Sequence, residues 1–308
     1  MTTKNIKTIL FVSLAAIMVL SISGLSMVDA APNENASDVA KDRHNYKVEV
    51  LSKTLVSEEM INGVKVTHFK QQIKQTDFPT VADFKELNKE YFTTLEAELG
   101  EKEGKKLSNE LVAEFAKNIK NAPEVSEIET VKIGSHSITF EKFTRDLPST
   151  WGAQKDPINL VFYDNGAGST VNSRIDNNAP HSWHAASGGL QWTFIDETAH
   201  GGSAYWSFGY GYEEGSYIDR YHVRIFNGGD DTHSGGFDKW SVGAVHRENC
   251  TPSCHTHYTN SWETAENHLA GDLANTSGIG VVSSINIGNA GNYQGIYNNG
   301  YAALIQVQ

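Results

Sequence analysis

Nine of the chain's twelve histidines lie beyond residue 150, and some sit at a spacing that could do chemistry. In residues 240–248 (WSVGAVHRE) the alternation of a strand puts His246 and Glu248 on one face. After a turn at 249–254 the chain returns as His255-Thr256-His257-Tyr258, where His255 and His257 again share a face. If the two faces coincide, three imidazoles and a carboxylate converge. Such a set suits Zn²⁺ or another divalent metal, because three ligands leave a position open for a water that the ion turns into a nucleophile. Glu248 is then a fourth ligand or a general base. The plainer reading is a group of exposed polar side chains at a hairpin tip. A one-residue slip of register would separate the pairs, and Glu248 can equally pair with Arg247 or Arg224.

Other residues offer binding rather than turnover. His222 and Arg224 share a face in residues 221–226, where the guanidinium suits a phosphate or carboxylate, or a structural partner among the acids nearby. Tyr205, Trp206, Tyr210 and Tyr212 offer aromatic faces of the kind that stack on sugars, and equally the residues of a packed sheet. His181 and His184, with Asp196, Glu197 and His200 downstream, form a looser group among Pro and Gly. Cys250 and Cys254, with three residues between them, pinch the turn closed as a disulfide in an oxidising compartment, or serve as two thiolates beside the histidines. No G-x-G-x-x-G, P-loop or G-x-S-x-G pattern occurs, so nucleotide binding is unsupported and one hydrolase class is removed.

The elements that must position these residues fall into segments. Lys4 and Lys7 precede an apolar run that ends at Val28-Asp29-Ala30-Ala31, the order of a secretory signal over residues 1–30. The body is expected outside the cytoplasm, secreted or at the cell surface, and bound to a membrane only if that run is retained as an anchor. Residues 31–45 read as a flexible mature terminus. Residues 46–147 read as a small α+β module: two alternating strands flank Asn62-Gly63, Thr80 opens one helix, and Leu107, Leu111, Phe115 and Ile119 mark another. Residues 151–308 hold all six tryptophans and 22 of the 27 glycines, with 6 Lys+Arg against 15 Asp+Glu. They read as a strand-rich mixed α/β module with one helix from Asn260 to about Leu273, so the expected class is α+β overall. The net charge of −12 argues against a sequence-independent grip on nucleic acid or anionic lipid.

Residues 220–273 resemble the C-terminal domain family named after LssY. The matching pieces are Arg220-Tyr221-His222-Val223-Arg224-Ile225-Phe226, Trp240-Ser241-Val242-Gly243-Ala244, and a helix ending in Asp272-Leu273. The resemblance implies a mixed α/β domain with an R-x-H-V-R strand and no established activity.

The sequence therefore leads to a secreted or surface protein whose second module binds a glycan or surface polymer without turning it over. A metal-dependent hydrolase built on the 240–258 hairpin and a structural envelope component are the alternatives. Whether the protein is an enzyme stays open at this point.

Overall fold

In the computed structural model the described residues run from Tyr46 to Gln308, apart from 135–138, 146–153, 179–182, 186–190, 216–218, 231–238, 251–256, most of 88–99 and a few isolated positions. Strand accounts for 58% of them and helix for 25%. The expected α+β balance is thus corrected to a large, mostly antiparallel sheet system carrying four α-helices among the described residues. The signal segment and mature terminus lie outside the described residues. No described helix is long and apolar enough to cross a membrane.

The chain begins with a long hairpin, β1 (Tyr46–Ile61) and β2 (Val64–Gln75). Asn62 and Gly63 join them with φ of 51° and 81°, the left-handed pair that matches strand twist in a tight turn. Helix α1 (Val81–Leu87) opens at Thr80, whose hydroxyl accepts from the Asp83 N–H while the Asp83 carboxylate accepts from the Thr80 N–H. Helix α2 (Glu101–Lys120) follows, then β3 (Val125–Ile133), β4 (Thr139–Glu141), β5 (Phe143–Arg145), β6 (Gln154–Pro157) and β7 (Leu160–Asp164). Beyond α3 (Gly168–Asn178) come β8 (His184–Ala185), β9 (Trp192–Asp196), β10 (Ala204–Gly215), β11 (Asp219–Asp230), β12 (Lys239–Cys250) and β13 (His257–Ser261). Helix α4 (Glu263–Ala274) leads to β14 (Ile279–Asn286), the small ribbon of β15 (Gly291–Tyr293) and β16 (Ile296–Asn298), and β17 (Tyr301–Val307). The α4 start is held by Ser261, whose hydroxyl accepts from the Thr264 N–H, rather than by the expected Asn260.

Two sheets share one strand. The first half of β10 pairs with β1 on one side and β9 on the other, and β1–β2–β3–β4–β9 completes a closed six-strand ring. The second half of β10 pairs with β11, starting an open sheet of order β10–β11–β12–β7–β17–β14 in which only β17–β7 is parallel. The sheet system therefore runs across the change of composition near residue 150.

Alternation sorts the side chains into three cores. Trp192, Phe194, Trp206, Ile73 and Ile128 fill the ring. Val131, Phe140 and Ile195 face outward from the ring and meet Phe226, Val242, Ala244 and Leu304 of the open sheet. The opposite face of that sheet, with Phe162, Val223, Ile225, Val245 and Ile305, packs under α3 and α4. Because the central strands are buried on both faces, β7 and β17 read as unbroken apolar runs rather than alternating ones.

Candidate metal centre

The pairing of β11 with β12 builds the site. Register places Arg220 opposite Glu248, His222 opposite His246 and Arg224 opposite Ala244. Alternation then aligns Arg220, His222, Arg224 and Phe226 with Glu248, His246, Ala244 and Val242 on the ring-facing side. The apolar end of this stripe joins the core between ring and sheet, and the polar end continues it. Asp156 of β6 closes the group. All of the charged and imidazole side chains are at most 6% exposed.

One donor atom from each of His222, His246 and Glu248 lies within 4.8 Å of the other two. Nε2 of His246 is 3.2 Å from Glu248 Oε2, and Nδ1 of His222 is 3.8 Å from Glu248 Oε1. Metal–ligand bonds near 2.1 Å at a tetrahedral angle put neighbouring donors about 3.4 Å apart, between those two distances. The far nitrogen of His246, Nδ1, lies 3.6 Å from Asp156 Oδ2. Gln191 and Gln294 donate to the Asp156 carboxylate at 3.0 Å each, which fixes it behind the ring. At 3.6 Å, Asp156 acts on the His246 ring through its charge and not through a hydrogen bond. Arg220 donates to the second oxygen of Glu248 and, at 2.6 Å, to Glu213.

Protonation fits this geometry. Burial, then the Arg224 charge, holds His222 well below its ordinary pKa, so it is a neutral imidazole. Neither of its ring nitrogens has a hydrogen-bond partner among the described residues. Burial alone would raise Glu248, but His246, His222 and Arg220 outweigh it and keep the carboxyl ionised. For His246 burial lowers the pKa, while Asp156 and Glu248 outweigh it and raise it. By formal charge, Arg220 and Arg224 face Glu213, Glu248 and Asp156. One negative charge is left, which a proton on His246 or a cation offsets.

A second group, Glu214, His268 and Asp272 on the opposite face of the sheet, also brings three donor atoms within 4.8 Å of one another. His268 Nε2 lies 2.7 Å from Glu214 and 3.5 Å from Asp272. Tyr221 stacks on the His268 ring at 4.0 Å, and the Trp183 indole donates to Asp272 at 3.1 Å. Here His268 is hydrogen-bonded to Glu214 and partnered by Asp272, so the group clamps α4 to β10 without an ion, whereas the His222 ring nitrogens have no hydrogen-bond partner among the described residues.

Of the residues expected to ligate, His246 and Glu248 are brought together, while His255 and the His257 side chain lie outside the described residues. In the backbone, His257 sits opposite Cys250. The Cys250 side chain and Cys254 also lie outside them. His222, expected as a ligand-binding residue together with Arg224, supplies the third donor. The aromatic residues expected at a polymer site do not form one exposed platform. Trp206 is fully buried in the ring, and the Tyr205 hydroxyl donates to Glu197 at 2.6 Å. Tyr210 and Tyr212 are half-buried, Tyr212 against the core under the helices. His184 lies 3.3 Å from Glu213, and Asp196 is bound by Lys53 and Gln71 within the ring.

Spacing along the chain does not by itself mark Asp156 or Arg220 as site residues. Arg220 has a signal in hindsight, two residues before His222 on an alternating strand. Asp156 has none, since only the tertiary fold brings β6 beside β12. Comparison of the chain with family models, curated proteins and solved structures gave no match.

Proposed function

We propose that this is a secreted or surface-displayed metal-binding protein whose open sheet holds one divalent transition-metal ion, zinc first among them. His222, His246 and Glu248 are its ligands. The observation that carries the reading is the pair of buried, unpartnered ring nitrogens of His222 beside an ionised carboxylate and a second imidazole. A buried polar group without a partner costs free energy unless something else satisfies it, and a cation does so here. The same three-donor set leaves a fourth position for water, which favours metal-assisted hydrolysis as the second reading. The aromatic residues expected to grip a polymer are spent on packing, so they support no glycan reading.

The test is metal analysis and zinc titration of protein purified without a histidine tag. About one equivalent of bound metal and a thermal shift on adding zinc are expected, both lost in His222→Ala. Less than about 0.2 equivalents of any transition metal, together with no shift, would sink the idea.

A further inference from the structure

A second site lies on the ring, apart from every residue of the metal centre. A cleft of about 220 Å³ is lined by Val56, Ser57, His68, Phe69, Glu129 and Lys142. Lys142 is 8% exposed, and its ammonium donates to the Gly288 carbonyl at 3.2 Å. Its closest carboxylate, Glu129, is 3.9 Å away and largely in solvent. The Lys142 backbone is pinned because its carbonyl accepts from Ile158 N–H at 2.9 Å and from the Asn289 amide at 3.0 Å. Gly288, at φ +71°, sits where the two basic groups meet. A Cβ built there would lie 3.1 Å from His68 Cε1 and 3.5 Å from Lys142 Nζ. The absence of a side chain at Gly288 is what leaves room for amine and imidazole together.

We propose that this cleft is a carbonyl-binding site in which the Lys142 amine forms an imine with a small neutral aldehyde or ketone. The nitrogen lone pair adds to the carbonyl carbon. His68 relays the first nitrogen proton to the oxygen as the carbinolamine forms and the second as it collapses, so the oxygen leaves as water with both while the C=N bond forms. Burial shifts Lys142 toward its neutral form, and burial followed by the Lys142 charge does the same for His68. Glu59, 3.4 Å from His68, and Glu129 put two carboxylates at the mouth, which disfavours anionic ligands and leaves neutral carbonyls as the fitting class.

The purified full-length chain is incubated at pH 7 with propanal and cyanoborohydride, which reduces any imine to a stable secondary amine. Peptide mass mapping then reads the site. Lys142 is expected to carry the propyl group several-fold faster than exposed Lys65 or Lys70, because only Lys142 has an imidazole beside it in the cleft to relay the protons. Lys132 is the control, because burial and neighbouring lysines lower its pKa without placing it in this cleft. Labelling of Lys142 no faster than Lys65, or of Lys132 as fast as Lys142, would overturn the proposal. His68→Asn is expected to slow labelling of Lys142 several-fold and leave that of Lys65 unchanged. Equal slowing at both lysines would count against the relay.

Discussion

Glu266 is the carboxyl most displaced from its ordinary chemistry without an ion partner. It lies on the first turn of α4, 6% exposed, with Oε2 lacking a hydrogen-bond partner among the described residues. Burial, then the charge of Glu263, pushes its pKa up to about 8 from 4.5. The unfolded chain therefore releases this proton near pH 4.5 while the folded chain keeps it to about pH 8, so stability falls as pH rises through that window. At 1.36 kcal/mol per unit, the loss is about 3 kcal/mol at pH 7 and about 5 kcal/mol once pH passes 8. Glu266→Gln removes the titration and keeps the shape. Any cost of the new amide is independent of pH, so the informative quantity is the change in the difference between variant and parent. Thermal melts at pH 4.5 and pH 7 should show the variant gaining about 3 kcal/mol on the parent, roughly 6–12 °C in Tm. Parallel curves with a constant offset from pH 4.5 to 9 would show that Glu266 is ionised in the fold and the reasoning wrong.

Three further outcomes follow from the same geometry. Glu248→Gln takes from Arg220 one of its two carboxylates, leaving Glu213, and should cost about 1.5–3 kcal/mol in urea unfolding, besides weakening zinc. Asp156→Asn removes the charge near His246 and turns one of the two oxygens that accept from Gln191 and Gln294 into a donor. Zinc titration calorimetry should show affinity down about tenfold, alongside a stability loss of about 1–3 kcal/mol from the broken hydrogen bond. Trp206→Ala should lower stability by about 3–5 kcal/mol through the cavity left in the ring, whereas a sugar-platform residue at the surface would lower only binding.

Much of the site was legible in residue spacing, and the part that was not is instructive. Alternation placed His246 with Glu248 and His222 with Arg224, and both pairings hold because period two is intrinsic to a strand. What spacing could not supply was the register between β11 and β12, which makes the two pairs one stripe. The same gap directed attention to His255 and His257, neighbours along the chain, rather than to His222, the neighbour across the ladder. The fold class went astray for a related reason. Ala204–Gly215 alternates aromatic residues with glycines, a pattern that suits sugar stacking as well as sheet packing, and it is the strand on which both sheets depend. Its glycines answer to tertiary packing: a Cβ at Gly209 would meet the Phe226 ring at 2.6 Å. The Asn62-Gly63 turn and the Thr80 helix start were readable because their causes are local.

That shared strand has a mechanical consequence. Ring and open sheet are stitched by the same run of peptide bonds, with the changeover between Phe208 and Gly209. Neither sheet can come apart without tearing one edge of the other. In hydrogen exchange, the β10 amides should therefore open only with the whole molecule, as the last foldon to go. A fragment ending before residue 204 would leave the ring with a gap between β9 and β1, exposing two raw strand edges to any passing chain.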